Sequence, residues 1–262
     1  LVPSQYYITQ LADRGFEPSK LRLFKRGLGA DFARIGERRL RELGAPWFRN
    51  AAPTLLYSGR LSNEKNLDFL SPVLDGLLAC GVDAQLILAG DGPAREALEQ
   101  RFARFGKRVR FTGLLGRDAL KALYAMADVF VFPSNTDTFG MSVLEAQTFG
   151  LPAVVSLCGG PQEIILPGKS GYALDTGSPD AWAATCRALL EAKAANPADY
   201  AAWRGEIRAA FAARPTWSQL IDDITEKPAQ PAAYGAVGDV IVPPSLRRRF
   251  SPSPSMTRPA SM

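Results

Sequence analysis

A doubly wound parallel α/β sheet is the expected architecture, on three grounds. Short apolar runs rich in β-branched residues recur at 54–58, 84–89, 108–112, 128–132, 152–156 and, more weakly, 172–174. Segments with helical spacing fall between them, around 64–80, 93–105, 117–127, 141–149 and 160–166. The 262 residues, 47% hydrophobic and 22% charged, suffice for one main core and fall short of two complete domains with linkers. Strands alternating with helices make βαβ units, and right-handed crossovers favour the strand order 3-2-1-4-5-6. That order is a Rossmann-like sheet with helices on both faces.

Residues 4–15 read as a helix capped by Ser4 and stopped at Gly15, followed by a short apolar segment, Leu21 to Phe24, and a bend at Gly27 and Gly29. Residues 1–50 are therefore assigned to the end of another domain and a hinge, and residues 51–225 to the Rossmann-like domain. Because the chain opens on Leu1 rather than methionine, an N-terminal truncation is expected. The first strand, TLLYS, runs into the loop Ser58-Gly59-Arg60-Leu61-Ser62-Asn63-Glu64-Lys65-Asn66. The second is followed by Gly90-Asp91-Gly92-Pro93, with proline expected at the first helical position. Thr112-Gly113-Leu114 follows the third strand, Pro133 to Gly140 the fourth, and Gly159-Gly160-Pro161-Gln162-Glu163 the fifth. Helices at 178–194 and 197–213 precede Trp217, placed in a short amphipathic turn. From about residue 226 Pro, Ala and Ser dominate, with an Arg247-Arg248-Arg249 cluster. Residues 226–262 are expected to be a disordered basic tail, with too little apolar surface to offset the entropy of ordering.

The net charge of +5 tolerates an anionic ligand or surface, although much of the excess sits in that tail. Three arginines there are read as a solvated run, and no nucleic acid is expected as a partner. Cys80, Cys158 and Cys186 are far apart, without metal-ligand spacing, and are read as reduced, mostly buried thiols of a cytoplasmic protein. There is no histidine, which excludes Ser-His-Asp and Cys-His triads. No run approaches the roughly 18 apolar residues that span a bilayer.

In a sheet of this order the ligand crevice opens where the winding reverses, between the carboxyl ends of the first and fourth strands. The two most chemically loaded loops end there. Arg60 and Lys65 offer two cations that can converge on a diphosphate, and Gly59 permits close backbone approach. The loop lacks the Gly-x-Gly-x-x-Gly pattern, since Arg-Leu-Ser-Asn-Glu follows Gly59, which counts against NAD or FAD. Asp137 and Glu145, eight residues apart, can accept hydrogen bonds from vicinal hydroxyls, one from a hexose and one from a ribose. The diphosphate would cross the helix start between them. The alternative is that Asp137 caps the helix and Glu145 pairs with a neighbouring cation. Thr112, Gly113 and Leu114 can offer backbone groups to a base edge, and Glu163 can face a sugar.

Ser58-Gly59-Arg60 with Glu64-Lys65-Asn66, Gly90-Asp91-Gly92-Pro93, Val109-Arg110-Phe111-Thr112-Gly113, Leu123-Tyr124-Ala125-Met126-Ala127-Asp128, and Asp137-Thr138-Phe139-Gly140 with Glu145-Ala146 stand in order along the chain. Over residues 4–220 they closely resemble the nucleotide-sugar half of family 4 glycosyltransferases. The resemblance implies a GT-B fold and retaining transfer of a sugar from a UDP- or GDP-linked donor to a lipid, glycan or small-molecule acceptor. It implies diphosphate contacts from Arg60 and Lys65, donor-sugar contact from Asp137, ribose contact from Glu145, and backbone contacts from Phe139, Gly140 and Met141. No metal and no cofactor is expected, because cations and a helix N-terminus already face the diphosphate. Asp137 is one methylene shorter than the family's glutamate, Gly29 replaces an aspartate, and Leu157 replaces a polar residue. The amino-terminal acceptor domain, with its histidine, is almost absent, so this chain alone is expected to be inactive. Peripheral contact with the inner face of a membrane is a further expectation. The alternative is a non-catalytic module that binds nucleotide sugars and is completed by a separate acceptor-domain chain.

Overall fold

The computed structural model describes residues 1–49 and 52–226. The stretch 227–262, with Arg247-Arg248-Arg249, lies outside the described residues, so the expectation of a disordered tail falls there. Six strands, β1 (Thr54–Ser58), β2 (Gln85–Ala89), β3 (Val109–Gly113), β4 (Val129–Phe132), β5 (Ala153–Ser156) and β6 (Gly171–Leu174), form one sheet in the order 3-2-1-4-5-6. Every adjoining pair is parallel, so all six carboxyl ends lie on one edge. Strands β1, β2, β4 and β5 are buried at every residue, which is why they read as continuous apolar runs.

Nine helices are seen among the described residues: α1 (Gln5–Asp13), α2 (Glu37–Gly44), α3 (Leu70–Ala79), α4 (Arg95–Phe102), α5 (Arg117–Met126), α6 (Met141–Thr148), α7 (Pro179–Ala195), α8 (Pro197–Ala212) and α9 (Trp217–Glu226). Because the winding reverses at β1, right-handed crossovers send α3 to one face, where it packs on α7. They send α5 and α6 to the other, against α2 and α8. Phe69 meets the fully buried Trp182 edge to face, ring centres 5.2 Å apart, closing the α3/α7 layer.

Four local expectations need correction. The segment 160–166 forms only a 3-10 turn, Pro161–Glu163. A Cβ at Gly160 would lie 2.2 Å from Thr138 O, so this backbone is pressed against the turn after β4 rather than coiled as a helix. The segment 64–80 opens with two 3-10 turns, Asn63–Lys65 and Leu67–Phe69, broken at Asn66, whose φ of 54° is left-handed. Pro93 precedes α4 by two residues instead of occupying its first position. Trp217 starts a helix of 10 residues, not a turn. The cause is a capping box: Thr216 N donates to Gln219 Oε1 at 2.8 Å and Gln219 N to Thr216 Oγ1 at 3.5 Å.

Two clasps fix the side of the sheet remote from the loops of interest. Arg204 donates to the carbonyls of Tyr124, Ala125, Ala127, Phe149 and Gly150, and so ties the ends of α5 and α6 together. Asp128 accepts from Thr54 N at 2.9 Å and from Lys193 Nζ at 2.5 Å. Among the described residues, no helix is long and apolar enough to cross a membrane. Cys186 is buried and its thiol is pushed up to about 12 by burial, whereas Cys80 is exposed, contrary to the expectation of mostly buried thiols.

Candidate functional site

Strands β1 and β4 are neighbours, with Leu55 opposite Val129 and Leu56 opposite Phe130, so the loops that follow them emerge side by side at the reversal of winding. They are stitched together. Asn66 Nδ2 donates to Pro133 O at 3.3 Å, and the hydroxyls of Ser134 and Thr136 donate to Glu64 O at 3.3 and 3.2 Å. The left-handed backbone at Asn66 turns the first loop into this contact, a conformation asparagine tolerates.

At the centre of the seam, Lys65 Nζ lies 2.8 Å from Asp137 Oδ2. Both side chains are about four-fifths buried, at 19% and 20% exposure, so the pair is only weakly screened by solvent. Asp137 Oδ1 also accepts from Phe139 N at 3.2 Å, which bends the chain into the start of α6. The alternative reading, in which Asp137 caps the helix and Glu145 pairs with a cation, is not met: Phe139 precedes α6, which has no side-chain cap, and the acid paired with a cation is Asp137. The Phe139 N–H, expected to face a ligand, is already engaged. Beyond it, Gly140 is left-handed at φ 91° and offers no side-chain cap to α6. The N–H groups of Met141 and Ser142 have no acceptor among the described residues.

The turn at Asp137 is held from behind. Gly160 N donates to Asp137 O at 2.9 Å, and a Cβ at Gly159 would lie 2.5 Å from that same oxygen, so only glycine permits the approach. Glu163 was expected to face a sugar. Instead its carboxylate accepts from Gln5 N at 2.9 Å and Tyr6 N at 2.6 Å, which caps α1 across 157 or more residues of sequence. Tyr7 adds a second tie, its hydroxyl donating to Thr136 O at 2.9 Å.

Two tyrosines escaped sequence reasoning. Tyr57, stacked on Phe132 with ring centres 5.7 Å apart, donates its hydroxyl to Arg60 O at 3.0 Å and so sets the loop that carries Arg60. Burial, with the Asp137 and Glu64 charges, raises its pKa. Tyr124, wholly buried on α5, donates to Glu145 Oε2 at 2.8 Å. Glu145 has no cation within salt-bridge distance among the described residues; burial raises its carboxyl, while the Tyr124 hydroxyl and the Arg117 charge pull the other way. A hydroxyl-bearing side chain at the end of an otherwise apolar strand or helix face was the available signal for both.

Arg60 is exposed on the first loop, and Gly59 adopts φ 153° with its backbone held by Ala89 O at 3.0 Å. The β2 loop locks against it: a Cβ at Gly90 would lie 2.0 Å from Gly59 O, so Gly90-Asp91-Gly92 serves close backbone packing. On the far side of that loop, Thr112 Oγ1 donates to Gly113 O at 2.8 Å, and Leu114 stands 84% exposed on the same edge of the sheet. The structure thus joins Lys65 to Asp137, places Gly140 and Met141 next to them on α6, and sets Glu145 one turn further along. Thr112, Gly113 and Leu114 lie two strands away from β1 along the same edge.

Residues 52–192 match the family model described as glycosyl transferases group 1. Sulfoquinovosyl transferase SQD2 of Arabidopsis thaliana is 39% identical over 141 residues, 53% of this chain and 26% of that protein. A GDP-mannose-dependent alpha-(1-6)-phosphatidylinositol dimannoside mannosyltransferase of Mycobacterium tuberculosis is 40% identical over 144 residues, 53% of this chain and 37% of that protein. The match thus spans well under half the length of these curated relatives. Among solved structures, Anabaena Alr3699/HepE in complex with UDP superposes with a TM-score of 0.73 at 21% identity, over 86% of this chain and 62% of that one. WaaG, a glycosyltransferase involved in lipopolysaccharide biosynthesis, gives a TM-score of 0.71 at 20% identity, over 86% of this chain and 62% of that one. The shared fold is the six-stranded parallel sheet with its flanking helices, matched over 62% of each of these GT-B glycosyltransferase neighbours.

Proposed function

The chain belongs to the group 1 glycosyl transferases, and on that footing we propose that it holds the nucleoside diphosphate-sugar donor of a retaining sugar transfer to a lipid, glycan or small-molecule acceptor. The observation that carries this reading is the Lys65–Asp137 contact, which joins the β1 and β4 loops beside unpaired N–H groups at the start of α6. Fixed cations and a helix N-terminus are what a departing diphosphate requires, because its negative charge grows as the bond to the sugar breaks. In this reading Lys65 turns from Asp137 to the diphosphate when donor enters, and Arg60, free on its exposed loop, closes on the same group. Asp137, released, accepts from hydroxyls of the transferred sugar. Glu145, oriented by Tyr124, accepts from the ribose hydroxyls. Leu114, an apolar side chain left in water, covers the face of the base, with Thr112 and Gly113 contributing backbone groups.

Retention would follow from front-face attack. The acceptor hydroxyl oxygen bonds to the anomeric carbon as the carbon–oxygen bond to phosphate breaks, and the acceptor proton passes to a donor phosphate oxygen. The protein's residues position and neutralise, and none acts as nucleophile. In this reading neither metal nor cofactor takes part. Support for a donor carrying UDP or GDP comes from the relatives: HepE was solved with UDP, and the mycobacterial enzyme is named as GDP-mannose-dependent. Calorimetric titration of the folded chain with UDP and with GDP tests the reading. Saturable one-to-one binding of either is expected, and binding of neither rejects it.

A further inference from the structure

A cavity of about 570 Å³ lies beneath the bend at residues 25–33 and between α6 and the end of α8, with Phe139 of the β4 loop in its wall. Its volume is within the range of about 300–1,000 Å³ typical of small-molecule sites. It sits where two chain segments run side by side. Trp217 N donates to Leu28 O at 3.2 Å, Phe24 stacks on Trp217 with ring centres 5.5 Å apart, and a Cβ at Gly27 would lie 2.8 Å from Pro215 O. The cavity is therefore roofed by a tight crossing rather than by a loose loop.

Its walls are apolar, with Phe32, Leu144, Phe211 and Leu220 among them, and its charged lining is mostly cationic, with Lys25, Arg26, Arg208 and Arg214 against the one carboxylate of Glu163. The carboxylate in the wall, Glu163, is spent on the α1 backbone. Arg214 is the informative member. Its guanidinium lies 4.1 Å over the Phe211 ring and donates one hydrogen bond, from Nη2 to Ile164 O at 2.6 Å. Among the described residues it has no carboxylate partner. Arg214 is half-buried, and burial pushes it down to about 10. A guanidinium has five N–H donors in a planar fork suited to carboxylate or phosphate, and here the hydrogen bond to Ile164 O engages one of them.

We propose that this cavity binds a single-chain amphipathic anion, its carboxylate or phosphate on the Arg214 guanidinium and its aliphatic chain among Phe32, Leu144, Phe211 and Leu220. The anion supplies the missing counter-charge, and the chain removes apolar wall from water. A phosphate without a chain would leave the walls wet, and an alcohol with the same chain would leave the guanidinium unpaired. Because both crossing segments contribute walls, an occupant would also hold the crossing together.

The test is titration calorimetry of the full chain with decanoate, decyl phosphate, 1-decanol and inorganic phosphate, without nucleotide, so that its outcome is separate from that of donor binding. One-to-one saturation by decanoate or decyl phosphate is expected, at least about tenfold tighter than by 1-decanol, with no saturation by inorganic phosphate over the same range. The tighter of the two anions distinguishes a fatty acid from a lipid phosphate as the source. Arg214→Gln should remove the advantage of the anion and leave the alcohol unchanged. A diazirine-bearing decanoate on the unmodified chain should label the cavity lining, within residues 25–33, 139–148, 163–164 and 208–220. Failure of both anions to saturate, equal affinity for decanoate and 1-decanol, or labelling elsewhere would overturn the proposal.

Discussion

Replacing Lys65 with methionine and Asp137 with asparagine, singly and together, separates the two tasks assigned to the seam between the β1 and β4 loops. The ammonium and carboxylate are 2.8 Å apart and about four-fifths buried. At an effective dielectric of about 20 their attraction is about 6 kcal/mol, and desolvation of the two ions offsets most of it. A net coupling of about 1–2 kcal/mol is expected in a double-mutant cycle of urea unfolding. Lys65→Met leaves Asp137 with the Phe139 N–H alone, at 3.2 Å. For ligand the two single variants should diverge. A charge-assisted hydrogen bond to phosphate contributes about 1.5–3 kcal/mol, so Lys65→Met should weaken UDP or GDP about 10- to 100-fold. Asp137→Asn removes the carboxylate that competes with phosphate for the ammonium, so the bare diphosphate should bind equally well or more tightly. The intact nucleotide sugar should then lose its advantage over the bare diphosphate. Calorimetry with both ligands reads this directly. An Asp137→Asn variant that weakens the bare nucleotide as much as Lys65→Met would refute the division of labour.

Glu145→Gln keeps an acceptor for Tyr124 and removes a carboxyl that burial holds above its usual range. The folded protein binds that proton more tightly than the unfolded chain. The associated stability is complete below the unfolded value of 4.5 and is lost as pH rises through the folded one. The variant should therefore be more stable than the parent near neutral pH and level with it at about pH 4 in urea titrations; an equal difference at both would contradict the burial argument. Arg204→Met removes the clasp on five carbonyls and should cost about 3 kcal/mol or more of unfolding free energy, whereas a loss under about 1 kcal/mol would show those carbonyls satisfied otherwise. Glu163→Gln should speed hydrogen exchange at Gln5 and Tyr6 by about tenfold, the equivalent of a lost helix cap, and unchanged exchange would deny the tie.

The sheet was legible because its strands are buried on both faces: runs such as Val129-Phe130-Val131-Phe132 admit few other readings, and crossover handedness then favours the order seen. The place proposed for the site follows from the reversal of winding at β1. What remained hidden depends on partners remote in sequence. Glu163 carries no mark that its acceptors' donors are Gln5 and Tyr6, and Tyr124 looks like one more core aromatic until its hydroxyl is seen at Glu145. The helix α2 was missed because Glu37-Arg38-Arg39-Leu40-Arg41-Glu42 is almost wholly polar, with no apolar stripe to declare it. The length of α9 was underestimated because the Thr216 and Gln219 capping box went unread.

The most direct test of donor binding at the seam between the β1 and β4 loops is a crystal structure of the chain with UDP or GDP bound, whichever calorimetry selects. The diphosphate is expected between Lys65 Nζ and the N–H groups of Met141 and Ser142, with the Lys65–Asp137 contact opened. A diphosphate bound elsewhere, with that contact still closed, would contradict it.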